Sequence, residues 1–285
     1  MAMIRASSID VRCKALNLHS LLTDIAVSDP VETEADFLRL WQSHCSDLTP
    51  FEMAVVGGAL ADRFSWIFTA GYQGAIRHIF PNEVFAGWAA FAVSEDRSET
   101  DPLPGVTYVE QGDGVLLNGS KTWVAASAHC NDVVFSAGRG GDKRFFRVSR
   151  GQENLEIETR PPGRMLPDLS QGSAHFKGVL LPFAHEVDTS LVPGFGPCEV
   201  LYIYSAFLAS TYIRLKEADE GDVAVALLNN AEAISRREEI SRDHADMIEL
   251  DAGVQKLLAH LRENVFGDVD LWRRDYKLVA MYSRS

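Results

Sequence analysis

GDGVLLNGSKTWVAASAHCNDVVFSAG, residues 112–138, reads as β-structure. Its runs Gly114 to Leu117, Thr122 to Ala125 and Asp132 to Ala137 alternate or are apolar and β-branched, and Gly, Asp or Asn stands between them. Asn118-Gly119 fits a type I′ turn, whose two central positions both need positive φ, so Lys121-Thr122-Trp123 begins a return strand. Five more runs of the same kind surround the stretch: Trp88 to Val93, Val106 to Glu110, Arg144 to Val148, Leu155 to Thr159 and Ser173 to Val179. Regularly spaced short strands predict a sandwich or barrel.

The flanks follow a different period. Upstream, Leu18, Leu21, Leu22 and Ile25 place a helix between Cys13 and Val27, and Thr33 with Asp36 resembles a capping box. Thr49-Pro50 is a helix start, with a capping hydroxyl and proline in the first turn. Phe51 to Phe80 is Ala- and Gly-rich and almost wholly apolar, which predicts a buried helix with a break near Gly57-Gly58 or Gly71. Downstream, Cys198 to Leu215, Asp222 to Ile234, Met247 to Leu261 and about Asp268 to Tyr282 read as helices. The order gives an α+β fold: an N-terminal helical domain (1–84), a central antiparallel β-sandwich or barrel (85–190) and a C-terminal helical bundle (191–285).

Composition limits the function. The 285 residues carry a net charge of −13, which argues against nucleic acid and anionic lipid as partners. A local anion site remains compatible with that charge. Cys13, Cys45, Cys130 and Cys198 are scattered, so neither a zinc site nor a disulfide framework is expected. His129 and Cys130 are neighbours whose side chains would point apart on a strand, so a loop position is the default. The sequence shows no membrane-length apolar run, no signal-peptide block, and no GxGxxG, Walker, HExxH or GxSxG motif, which predicts a cytoplasmic protein.

Three segments in order resemble the acyl-CoA dehydrogenase superfamily. GWAAFAVSED (87–96) stands where that family has a strand entering an A-x-T-E-P turn. Residues 112–138 are similar to G-D-x-x-x-L-N-G-x-K-x-W-I-T-N, and RMLPDLSQGSAHFKGVLLPFAHEV (164–187) to the closing strand ending F-x-x-V-x-V-P. The resemblance covers about 100 residues well and the flanks in outline. It implies FAD lying between Phe91, Val93 and Ser94 on one side and Trp123, Val124 and Ala125 on the other. It also implies oxidation of an acyl-CoA or related thioester, with a carboxylate removing the α-proton and hydride passing to flavin N5. The competing reading of Trp123 is a sandwich-core tryptophan.

The pattern also departs from the family. Ser94 replaces a threonine, and Ser94 to Asp101 lacks the family's proline and glycine, leaving Arg97 either to pair with a substrate phosphate or to sit in a solvated loop. Ala125 replaces a hydroxyl-bearing residue. Arg274 to Ser285 resembles R-D-A-K-I-Y-x-I-Y-E-G-T, which places Ser283 where the family has its catalytic glutamate, and the family's following helices are expected to be missing. Some members carry the base on an earlier helix, where Glu199 and the pair Glu238-Glu239 are candidates. Glu199 reads either as a buried acid or as a helix N-terminal charge favoured by the dipole. Arg236 to Asp246 reads as a solvated helix face.

Three activities are compatible: an acyl-CoA dehydrogenase-type enzyme, a non-catalytic subunit completing a homologue's site, or a flavin monooxygenase, for which Trp123 to Ser127 gives a W-x-x-x-S pattern. The apolar helices predict a homo-oligomer, dimer or tetramer, or a hetero-oligomer with a full-length homologue.

Overall fold

The computed structural model describes residues 18–23, 25, 30–264 and 275–283. The first helices are α1 (Leu18–Thr23), α2 (Glu34–Cys45), α3 (Pro50–Leu60) and α4 (Phe64–Ile79). Seven strands follow: β1 (Ala89–Ala92), β2 (Thr107–Gln111), β3 (Gly114–Ala125), β4 (Asp132–Ala137), β5 (Arg144–Ser149), β6 (Leu155–Thr159) and β7 (Gln171–Pro182). α5 (Phe195–Leu215), α6 (Asp219–Ser235), α7 (Ala245–Asn264) and a short helix Lys277–Met281 complete the order. The architecture is α+β with the strands between two sets of helices. Of the expected helix from Cys13 to Val27, Leu18–Thr23 is helical, and 13–17, 24, 26 and 27 lie outside the described residues, as do 268–274 of the expected last helix.

Local chemistry sets the helix starts. Thr33 Oγ1 accepts from the Asp36 amide at 3.1 Å. Thr49 and Glu52 form a full capping box, with Pro50 in the first turn of α3. The apolar run 51–80 is two helices, and the break is not at a glycine. It falls at Ala61–Arg63, where Ala61 and Arg63 are extended and the Arg63 guanidinium binds Asp62 (2.9 Å) and Asp168 (3.2 Å). Gly58 and Gly71 serve instead as contact points within helices. A Cβ on Gly58 would lie 2.2 Å from the Ala206 carbonyl oxygen, and one on Gly71 would lie 2.5 Å from the Ile203 Cα. α3 and α4 therefore approach α5 backbone to backbone, and a larger residue there would force the helices apart.

The strands form two sheets, ordered β1-β4-β5 and β2-β3-β7-β6. Phe135 of β4 meets Phe176 of β7 with ring centroids 4.3 Å apart, so the sheets share one core. The β-region is not wholly antiparallel, because β1 and β4 pair in parallel, with Phe91 opposite Val134. The chain leaves β1, makes β2 and β3 in the other sheet, and returns to the first sheet in its original direction. Alternation of apolar residues sets which face is buried but not which way a neighbour runs.

Asn118-Gly119 is not a hairpin turn either. β3 runs unbroken from Gly114 to Ala125, and the β2–β3 turn is at Gln111–Gly114, with Gly112 at φ +63°. Gly119 has φ +126° inside β3, beside a register shift after Leu117, and a Cβ there would lie 2.3 Å from the Gly105 oxygen. A positive-φ signal marks a strand irregularity as well as a turn. Arg236 to Asp246 is chiefly the connection between α6 and α7 rather than a helix face. Arg236 pairs with Glu232, and Arg237 pairs with Asp246. Among the described residues no helix is long and apolar enough to cross a membrane.

Candidate functional site

The chain leaves β1 extended, and the Thr122 amide of β3 donates to the Ser94 carbonyl at 2.9 Å. Ser94 and the strand carrying Trp123 are thereby brought together. A buried ion pair fixes this rim. Lys121, fully buried, reaches Glu95 at 2.6 Å and Ser136 Oγ at 3.0 Å. Burial pulls the Lys121 ammonium's pKa down, and Glu95 opposes that shift. Glycine at 105 makes room for the Glu95 carboxylate, since a Cβ there would come within 2.4 Å of its oxygen. Asp96 then takes the place of the family's proline. Its carboxylate accepts from the Ser98 amide (2.9 Å) and the Leu103 amide (3.0 Å), which closes the 96–103 loop. The Ser98 hydroxyl and these amides hold the Asp96 carboxyl below its usual range.

Trp123 sits at the second irregularity of β3, between Lys121 and Val124. Its indole N–H donates to Gln171 Oε1 at 3.2 Å, and its ring meets Phe68 and Tyr72 edge-on, with centroids 6.3 and 5.9 Å apart. Trp123 is half-buried, and Val93 and Ser94 are exposed. The amides of Val93 and Ser94 donate to no partner among the described residues. Phe91, Val124 and Ala125 are placed differently, with their side chains buried. Phe91 packs on Phe195 (4.5 Å), Phe80 (5.5 Å) and Phe145 (6.0 Å). Its N–H donates to the Tyr72 hydroxyl at 2.8 Å, and that hydroxyl donates to its carbonyl at 3.3 Å. The side chains of these three residues therefore belong to the core, and the backbone of Phe91 is already engaged by Tyr72.

Opposite the rim stands α5. Phe195, in its first turn, meets Tyr72 edge-on at 6.1 Å. One turn later comes Glu199. Its carboxyl has no hydrogen bond or ion pair among the described residues, and burial pushes its pKa up to about 7. A helix dipole would push a carboxyl down, so burial outweighs the dipole here. Burial raises the phenols of Tyr72 and Tyr282, and the Glu199 carboxylate adds to both shifts, which places all three groups in one neighbourhood. Ser283 follows the helix Lys277–Met281, and its amide donates to the Ala280 carbonyl at 3.2 Å. The terminal segment thus reaches the site but presents a tyrosine there rather than a carboxylate. Gln255 holds the segment through the Val279 carbonyl (3.0 Å), and Arg242 donates to the Tyr282 carbonyl.

Arg97 is exposed and lines a cavity of about 410 Å³ with Arg160, His175, Glu95, Asp96 and Glu158. Arg160, which sequence reasoning did not single out, donates to the Thr122 carbonyl at 2.6 Å and the Gly172 carbonyl at 3.1 Å, pinning the strand next to Trp123. Ser127 is buried, and its hydroxyl pairs with Thr159 at 3.0 Å, so the W-x-x-x-S spacing is accounted for by a strand contact.

No family model and no curated protein matches the sequence. Solved structures do. A structure described as the electron-transferring flavoprotein of Acidaminococcus fermentans superposes with TM-score 0.64 at 10% identity, covering 88% of this chain and 86% of that one. The prolyl acyl carrier protein oxidase AnaB gives 0.60 at 12%, with coverage of 82% and 79%. PigA with FAD and proline gives 0.60 at 11%, with coverage of 93% and 88%. The chain has an acyl-CoA dehydrogenase-like fold. At this identity the likeness concerns backbone architecture. Tyr72 joins the two sides of the site, edge-on both to Trp123 of β3 and to Phe195 of α5, and the residues described above decide what this region offers. The unpartnered Val93 and Ser94 amides and the half-buried indole suit a planar, hydrogen-bonding ring such as a flavin.

Proposed function

We propose that this protein is an FAD-dependent oxidoreductase that oxidises a small acyl thioester, borne on CoA or on a carrier protein, with Glu199 as its base. The observation that carries the reading is the Glu199 carboxyl: half-buried, without a hydrogen-bond or ion-pair partner among the described residues, raised to about 7, and linked through Tyr72 to Trp123. Val93 and Ser94 amides and the Trp123 indole would hold the flavin. When bound, the cofactor supplies the acceptor for the hydride that leaves the substrate's β-carbon.

The chain's own residues do the rest. Glu199 removes the α-proton, and the electron pair left behind forms the carbon–carbon double bond as hydride departs. A carboxyl poised near neutrality is a competent base at physiological pH and holds the proton afterwards. Tyr72, bonded to both backbone groups of Phe91, keeps the end of β1 in place beneath the rim. Phe195, Tyr72 and Tyr282 keep water away from the carboxylate.

The test is a visible absorption spectrum of the purified chain after incubation with FAD, followed by anaerobic addition of a panel of short acyl thioesters. The expected result is a bound-flavin spectrum that bleaches with one of them. Protein that retains no FAD sinks the reading.

A further inference from the structure

Glu238 and Glu239, the other acidic candidates of the C-terminal half, border a separate cavity of about 330 Å³ that Glu199, Tyr72 and Trp123 do not line. Glu199 is thus the acid whose surroundings bear on the reaction. Removing an α-proton throws negative charge onto the thioester carbonyl oxygen, and a donor aimed at that oxygen stabilises it. The oxygen and the α-carbon are bonded to one carbon, so base and donor must come from one neighbourhood.

Tyr282 interacts electrostatically with Glu199, Tyr72 and Tyr204, so three phenols and one carboxyl share this part of the molecule. Two of the phenols have used their protons. The Tyr72 hydroxyl donates to the Phe91 carbonyl at 3.3 Å and accepts from the Phe91 amide at 2.8 Å. The Tyr204 hydroxyl donates to Asp251 Oδ1 at 2.5 Å and accepts from Gln255 Nε2 at 2.9 Å. The Trp123 N–H is spent on Gln171. The Tyr282 hydroxyl has no hydrogen-bond partner among the described residues, Glu199 included. Its backbone, by contrast, is firmly held. Arg242 donates to the Tyr282 carbonyl, and the Tyr282 amide donates to the Val279 carbonyl at 3.3 Å. Gln255 Nε2 ties that same carbonyl (3.0 Å) to the Tyr204 hydroxyl on α5. A donor and an acceptor withdrawn from water, neighbours yet not bonded to each other, are costly unless a third group completes them. Burial, and then the Glu199 carboxylate, hold the Tyr282 phenol above its usual range, so it keeps the proton it would donate.

We propose that Tyr282 is a second catalytic residue of this site, donating a hydrogen bond from its hydroxyl to the substrate's thioester carbonyl oxygen while Glu199 takes the α-proton. This role presupposes the acyl-thioester oxidation proposed above. The electron pair of the α-carbon spreads onto the carbonyl oxygen as the proton reaches Glu199. It returns to form the carbon–carbon double bond as hydride leaves the β-carbon for the oxidised flavin. Tyr282 keeps its proton throughout. The terminal segment, which lacks a carboxylate at Ser283, contributes this donor instead.

The test compares the FAD-loaded full chain with Tyr282→Phe, using propionyl to hexanoyl thioesters of CoA and of pantetheine. With the thioester that bleaches the flavin fastest, Tyr282→Phe should lose about 100-fold in kcat with KM little changed, the size typical of one oxyanion donor. Its circular dichroism and FAD affinity should match the unaltered protein. A second readout needs no turnover. The infrared carbonyl stretch of the bound thioester, isotope-labelled at that carbon, should lie lower in Glu199→Gln than in Glu199→Gln/Tyr282→Phe, because a hydrogen bond weakens the carbonyl bond. Unchanged turnover in Tyr282→Phe, loss of FAD or of fold in that variant, or one carbonyl stretch in both Glu199→Gln proteins overturns the role of Tyr282 and leaves the flavin reading standing. No bleaching of the unaltered protein by any of these thioesters removes the oxidation itself, and the role of Tyr282 falls with it.

Discussion

The β-rim and the α5 face differ in how their residues are held. On the rim the polar side chains are tied to neighbours, Lys121 to Glu95, Asp96 to the amides of its own loop and Trp123 to Gln171, and the Val93 and Ser94 amides alone are left without a partner among the polar groups described above. On α5 the polar group that matters, Glu199, is tied to nothing among the described residues. A satisfied network holds a shape, whereas an unsatisfied buried carboxyl is costly in the fold and available for chemistry. The side chains of the rim and the Glu199 carboxyl of α5 thus carry opposite signatures, and substitutions on each should fail in different ways.

The largest effect is expected at Glu199. Glu199→Gln keeps the shape and removes the base, so turnover should fall about 1,000-fold or more while FAD binding is retained. In the unaltered protein, kcat/KM should rise with pH through about 7 as the carboxyl ionises. Stability should move the other way. The folded-state pKa is raised above the ordinary glutamate value of 4.5, so the folded state binds the proton more tightly and stability declines as pH rises from about 4.5 to 7. Above that window the charged Glu199 costs on the order of 3 kcal/mol, which Glu199→Gln should largely recover. Urea unfolding at pH 5 and pH 8 measures this directly. A variant that is inactive and also no more stable at pH 8 would return Glu199 to the scaffold.

The rim should behave in the reverse manner. Glu95→Ala leaves the Lys121 ammonium buried without its counter-charge, which typically costs about 3 kcal/mol when one partner of a buried pair is removed. Glu95 is itself partly solvated, so the lower part of that range applies. Both stability and FAD affinity should drop together, because the same pair holds the Ser94 segment. Denaturation midpoints alongside FAD titration test the coupling. A fall in stability with FAD affinity intact would separate the ion pair from the rim.

This contrast also explains what could be read from the sequence. The rim was legible because its cues are local: strand runs, a positive-φ glycine, a tryptophan three residues past Ser120. Even there, local cues did not distinguish a turn from a bulge at Asn118-Gly119, nor parallel from antiparallel pairing of β1 with β4. The ion pair of Lys121 with Glu95 spans 26 residues and had no local signature. Glu199 could be named but not assigned, because its environment is assembled from α4, α5 and the C-terminal segment, and burial there is a property of their packing. The two-helix break at Ala61–Arg63 was hidden for the same reason, since Asp168 that stabilises it lies 105 residues from Arg63.

The smallest effect separates the two readings of Trp123. Trp123→Phe keeps an aromatic ring but removes the N–H donor, leaving Gln171 Oε1 without this bond while Gln171 Nε2 still donates to the Met165 carbonyl at 3.0 Å. The loss should be about 1 kcal/mol in stability. If the indole only fills the sandwich, Trp123→Phe and Trp123→Ala should both act on stability and leave FAD affinity alone. If it packs on the flavin, Trp123→Phe should change FAD affinity no more than a few-fold, and Trp123→Ala should weaken it by about ten-fold, as expected for loss of an aromatic contact. Four of the five tryptophans remain in either variant and report on more than this site, so flavin fluorescence is the suitable signal. Parallel shifts of FAD affinity and stability across both variants would favour the flavin-side ring, because the edge-on contacts to Phe68 and Tyr72 are the same in either reading.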